Sequence, residues 1–116
     1  MKNHKIFEMS VSDVYPHYVN KVEKKGHSQD DLHRIMTWLT GYSVEQVMQR
    51  LDAGDSFRMF FENAPNLNEK RRAITGVICG VRVEEIKDPL MQEIRYLDKL
   101  VDELAKGKKM SSILRE

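Results

Sequence analysis

Cys79 is the only cysteine of the chain, and it stands in "RRAITGVICGVRVEEIKDPL" between Gly76 and Gly80, with Arg72 and Arg82 on either side. Three chemistries are open to such a stretch. A thiol near arginines is a nucleophile if a base activates it, spaced glycines can cradle a phosphate, and small residues four apart let two helices approach closely. The thiol lacks an activating base nearby in sequence, because His4, His17, His27 and His33 all lie far upstream. The phosphate loop lacks the Lys-Ser/Thr of a P-loop and the strand, three glycines and helix of a dinucleotide site. Packing remains: an inert buried Cys79, and Ala73, Gly76 and Gly80 as a strip of small residues against a neighbouring helix. A small enzyme or ligand-binding protein using Gly76, Gly80 and Cys79 is the competing reading.

Other candidates are weaker. The histidines form no i, i+4 pair and have no cysteine at ligand spacing, and the local pair Asp30 and His33 fits an exposed helix face. No metal ligand, cofactor-binding residue or catalytic residue is therefore assigned, and no cofactor is expected. Leu32 to Leu51 reads as helix, "TG" turn and helix, the outline of a helix-turn-helix whose second helix would offer Gln46, Gln49 and Arg50 to DNA. Glu45, Asp52 and Asp55 stand close by, and helical hairpins occur in most small bundles. Nucleic acid is accordingly disfavoured as a partner. Trp38, Tyr42, Phe57, Phe60 and Phe61 have the makings of a pocket lining, but they fall on or beside apolar stripes and default to core.

Those stripes define the elements. Apolar residues recur at i, i+3, i+4 and i+7 in Val11, Val14, Tyr15, Tyr18 and Val22, then in Leu32, Ile35, Met36 and Leu39. The spacing returns at Val44, Val47, Met48 and Leu51, and at Phe57, Phe60, Phe61 and Ala64. Ser28 with Asp31, and Ser43 with Gln46, have capping-box spacing, while Gly26, Gly41 and Gly54 act as stops. Pro16 calls for a first helix that begins just before it, with Ser12 as cap. The last long helix has Asp88 as N-cap, Pro89 at its first position, a stripe of Leu90, Ile94, Leu97, Val101 and Leu104, and Gly107 as its end. Its charged residues, Glu93, Arg95, Asp98, Lys99, Asp102 and Glu103, read as a solvated face with a Lys99 and Glu103 pair. "KKMSSILRE" adds a final turn through Met110, Ile113 and Leu114. Residues 73–83 fit both periods: Ile74, Val77, Ile78 and Val81 keep helical spacing, and the alternation also suits a strand. The spacing predicts a helix there, since no partner strand is evident elsewhere.

Composition sets the class. At 116 residues, with 41% hydrophobic and 32% charged residues and no low-complexity tract, one compact domain over 1–116 is expected. A formal charge of +1 supplies no whole-molecule field for a polyanion. One cysteine, no secretory-type apolar stretch in "MKNHKIFEMS" and no membrane-span run predict a cytoplasmic protein without a membrane partner.

From "WLTGY" through "RMFFENAPNLN" to "ITGVICGVRVEEIKDPLMQEIRYLDKLVDELAKGKKMSSILRE", and in "MSVSDVYPHYVNKVEKKG", the chain resembles a family of small bacterial proteins, domain-of-unknown-function family 2200. The resemblance implies a small, mainly helical bacterial domain and brings no activity or site residue with it. The fold expected is all-α, an irregular bundle of about six helices with the longest near the C-terminus. The function expected is a non-catalytic interaction module with a protein partner or a second copy of itself. Met91 and Leu100, at the edges of the long helix's wide apolar face, are its candidate interface residues.

Overall fold

Side-chain oxygens and glycines punctuate the chain, and the helices lie between them. The computed structural model describes residues 4–116. Among these, α1 spans Lys5–Glu8, α2 Val11–Glu23, α3 Gln29–Thr40, α4 Val44–Asp52, α5 Phe57–Glu62, α6 Pro89–Ala105 and α7 Met110–Ile113. Between α5 and α6 run a 3₁₀ turn at Glu69–Ala73, strands β1 (Val77–Ile78) and β2 (Val81–Arg82), and a second 3₁₀ turn at Val83–Glu85. The architecture is a mainly helical, irregular bundle, and its seven α-helices among the described residues include α1, one short turn that carries no apolar stripe.

Both capping boxes form. Ser28 Oγ accepts from the Asp31 amide at 3.2 Å while Asp31 accepts from the Ser28 amide, and Ser43 and Gln46 exchange the same pair at 3.1 and 2.9 Å. Each satisfies two otherwise orphaned amides. Gly41 closes α3 at φ 82°, and a Cβ there would stand 2.8 Å from the backbone of Asn66, so the loop after α5 lies directly on this glycine. Asp88 caps α6 through the Met91 amide at 3.0 Å, with Pro89 first. The α2 start differs from expectation: Ser10, not Ser12, is the N-cap, and Pro16 sits inside the helix on its exposed side. What fixes this start is tertiary: the Val11 amide donates to Asp55 O and the Phe57 amide to Met9 O, tying α2 to α5.

Residues 73–83 are not a helix. Ile78 pairs with Val81 and Val77 with Arg82 in an antiparallel hairpin. Its two-residue turn, Cys79 and Gly80, has φ of 53° and 79°, the doubly positive pattern of a type I′ turn that matches strand twist. The partner strand missing from the rest of the sequence lies within the same stretch. Neither glycine meets a helix backbone: a Cβ at Gly80 would face open space, and one at Gly76 would meet only the Lys99 side chain.

The core forms around α6, which packs on α2, α3, α5, α7, the hairpin and the second 3₁₀ turn. Leu32, Ile35, Met36, Leu39, Phe57, Phe60, Ile94, Leu97, Leu100 and Ile113 are fully buried, and Trp38 is half-buried against them. Wrapping on all sides overturns the solvated face assigned to α6. Glu93 and Glu103 are buried, the first facing Arg71 Nε at 2.9 Å, the second held by Arg115 Nη1 at 2.6 Å and Nη2 at 2.9 Å. Lys99 does not pair with Glu103; it donates to Val77 O at 3.3 Å. Arg115, from the final turn, takes its place.

Candidate functional site

Along the exposed flank of α2, His17, Asn20, Lys21 and Lys24 fall at i, i+3, i+4 and i+7 and so share a face. This flank lies beside the last turns of α6, where Asp102, Ala105 and Lys106 face it. Together with Lys25 in the turn after α2, they line an open cleft of about 540 Å³. Its charge is lopsided. Asp102, the lone carboxylate of the lining, stands between Lys21 Nζ at 3.2 Å and Lys106 Nζ at 3.0 Å. Partial burial pushes its pKa up, but the two ammonium groups outweigh that and hold the carboxyl below its ordinary value. Lys24 and Lys25 have no ion-pair partner among the described residues. Four lysines against one aspartate make a cationic groove with the Ala105 methyl and the lysine stems as its apolar part.

At the other end of the α2 and α6 contact, the hairpin closes over a smaller cleft of about 190 Å³ lined by Tyr18, Lys21, Ile78, Cys79, Asp98 and Val101. Tyr18 Oη donates to Asp98 Oδ1 at 2.5 Å, and Arg95 Nη1 reaches both Asp98 Oδ2 at 2.7 Å and Cys79 Sγ at 3.6 Å. Burial first, then the Asp98 charge, raises the Tyr18 phenol well above its ordinary value. Cys79 is exposed on the turn, contrary to its assignment as a buried thiol, because the hairpin puts its tip at the surface. The groups at its side are an arginine and a tyrosine and aspartate already bonded to each other.

Gln46, Gln49 and Arg50 do come together, at a third cleft shared with Tyr42, Asn63 and Pro65. Gln46 is turned back onto the Ser43 amide, and Arg50 faces the buried carboxylate of Asp55 at 3.6 Å, while Gln49 is exposed. Leu100 is fully buried within its own chain, which removes it as an interface residue: wrapping on every side leaves that edge of α6 no exposed surface. Met91 is half-buried against the core. His33 stacks on Tyr15 and shares a hydrogen bond with its hydroxyl instead of meeting Asp30. No cluster of three or more His, Cys, Asp or Glu that could hold a metal is found among the described residues. No helix among them is long and apolar enough to cross a membrane.

The lysine groove was missed from sequence because "KVEKKG" and "LAKGKK" each look like an ordinary solvated helix end. Their one shared signal is a lysine cluster closing a helix. Only the pairing of α2 with α6 adds the two together.

Among curated proteins, none matches this chain. Among solved structures, the crystal structure of uncharacterized protein SP1917 is similar at 49% sequence identity and a TM-score of 0.91, over 98% of this chain and 93% of that one. A family model described as "Uncharacterized protein conserved in bacteria (DUF2200)" matches residues 5–115, nearly the whole length, and the chain therefore belongs to the DUF2200 family.

Proposed function

We propose that this protein is an interaction module that holds an acidic segment of a protein partner in the groove between α2 and α6. The observation that carries this reading is the charge of the groove: four lysines and one aspartate, with Lys24 and Lys25 unpaired among the described residues. A groove between two helices is a common seat for a peptide segment, and its lysine stems and Ala105 supply apolar contact beside the charges. Nucleic acid fits less well. The molecule as a whole carries only +1 and supplies no wider positive field along which a phosphate backbone could run beyond the groove.

Fluorescence anisotropy of a labelled oligoglutamate peptide tests the reading. Saturable binding that weakens with added salt is expected, and the double variant Lys24→Glu with Lys25→Glu should weaken it by about tenfold or more, since each exposed charge pair contributes roughly 0.2–1 kcal/mol and the variant turns attraction into repulsion. Equal affinity in the variant, or displacement of the peptide by substoichiometric duplex DNA, would overturn it.

A further inference from the structure

The groove between α2 and α6 has a direction, and that direction selects the shape of what fills it. Tyr18 bonds to Asp98 and Lys21 pairs with Asp102, so a step along α2 from residue 18 to 21 is matched on α6 by a step from 98 to 102. The two helices therefore run parallel, side by side. Both end at one edge of the groove and in the same way. The His27 amide donates to Val22 O at 3.0 Å and the Lys108 amide to Glu103 O at 3.1 Å, the backbone closure that follows a helix's last turn. Lys24, Lys25 and Lys106 stand at this edge, and His17 marks the far end. Resting on the reading of the groove as a seat for an acidic segment, we infer that its occupant is an α-helix of the partner with acidic residues along one face. That helix lies antiparallel to α2 and α6, its N-terminal turn at Lys24, Lys25 and Lys106.

Both walls are helices whose backbone groups bond within their own turns, and the hairpin of β1 and β2, the one sheet among the described residues, contributes nothing to the lining. An extended segment finds no backbone partner there and has nothing to replace the water on its own amides. A helix brings its backbone already bonded and offers side chains only. Spacing agrees with this. His17, Lys21 and Lys24 follow the helical repeat of α2, and a second helix of the same rise, running the other way, keeps step with Lys24, Lys21 and His17 through acids at i, i+3 and i+7. Ala105, the smallest side chain of the lining, lets the two backbones come close.

Orientation follows from dipoles and charges together. The C-terminal ends of α2 and α6 lie next to each other and carry partial negative charge of the same sign; an antiparallel neighbour sets its positive N-terminal end against them. Acidic residues favour the first turn of a helix, which places them beside the three lysines of that edge. Asp102 is already met on both oxygens, Oδ1 by Lys21 and Oδ2 by Lys106. The other acids of α2, Asp13 and Glu23, are exposed and outside the lining.

Three labelled peptides of about 15 residues, the length at which an isolated helix becomes marginally stable, test the inference. The first is built from alanine, glutamine and leucine with glutamates at i, i+3 and i+7; the second has the same composition with the glutamates spread around the helix; the third is the first with a central proline. Fluorescence anisotropy should show the first binding about tenfold more tightly than either of the others, and Lys24→Glu with Lys25→Glu should remove that preference. Far-UV circular dichroism should show helix gained on mixing. A nitroxide at the N-terminus of the first peptide should broaden the amides of residues 24, 25 and 106, and one at its C-terminus those around residue 17. Equal affinity for the proline peptide would overturn the helix and leave an acidic segment in the groove. Equal affinity for the spread peptide would overturn the one-sided face, and broadening in the reverse order would overturn the orientation. Failure of all three peptides to bind would overturn the reading of the groove itself.

Discussion

Replacing Arg71 by methionine should cost this protein about 3 kcal/mol, and replacing Glu93 by methionine in the same molecule should return most of it. Both side chains are about nine-tenths removed from solvent. Arg71 Nε reaches the two Glu93 oxygens at 2.9 and 3.1 Å, and Nη1 holds Asn68 O at 2.9 Å. Without Arg71 both carboxylate oxygens lose their only hydrogen bonds in a nearly dry site, a change that costs roughly 3–5 kcal/mol where a buried pair is broken from one side. The lower end applies because the site lies at the core's margin and Arg72, bonded to Gln92 and Tyr96, stays close enough to offset part of the stranded charge. With a urea dependence of about 1.5 kcal/mol per molar, the midpoint should fall by about 2 M. The double variant replaces the pair by two flexible apolar side chains and should lie within about 1 kcal/mol of the parent. Urea unfolding followed by circular dichroism measures all three proteins. A loss below about 1 kcal/mol for Arg71→Met, or a double variant as unstable as the single one, would refute the claim that α6 is enclosed on its charged side.

Leu100→Ala should cost about 2–5 kcal/mol in the same assay while leaving the sedimentation coefficient at each concentration unchanged, as befits a core residue and not an interface residue. At the hairpin, Gly80→Ala should destabilise by roughly 1–2 kcal/mol despite the open space around it, because its φ is 79°, and Cys79→Asn should stabilise by a few tenths up to about 1 kcal/mol; melting curves settle both. Native Cys79 should also react with a thiol reagent as fast as in the unfolded chain, and strong protection would contradict its exposed position. Tyr18 governs the alkaline limit. Its folded pKa is raised above the ordinary 10.0 by burial and by Asp98, so its contribution is complete below about pH 10 and is lost as pH climbs through the folded value. Stability measured from about pH 9 to 11 should therefore fall more steeply in the parent than in Tyr18→Phe, which keeps the smaller effects of Tyr15 and Tyr42; parallel curves would contradict this.

Much of the helical frame was legible because it depends on local chemistry. Ser28, Ser43 and Asp88 cap helices through bonds to residues three positions on, and such bonds depend on spacing alone. The hairpin was not, because Val77, Ile78 and Val81 satisfy both periods and the deciding factor, a positive φ at Cys79, belongs to a residue that seldom adopts it. Glu93 and Glu103 read as solvated because their partners, Arg71 and Arg115, approach from a 3₁₀ turn and from the chain's last turn, neither of which has a sequence period. The same holds for the lysine groove. Lys24 and Lys106 share it only because α2 and α6 pack together, across a separation of some eighty residues that no local pattern spans.

The reading of the groove is tested most directly by mapping an oligoglutamate peptide onto isotope-labelled protein through backbone amide shifts. The account predicts that the shifted amides cluster in residues 17–25 of α2 and its turn and in residues 102–106 at the end of α6 and its cap, and that the cluster disappears in Lys24→Glu with Lys25→Glu while the rest of the spectrum is retained. Shifts centred on α4, spread evenly over the surface, or undiminished in the variant would contradict it.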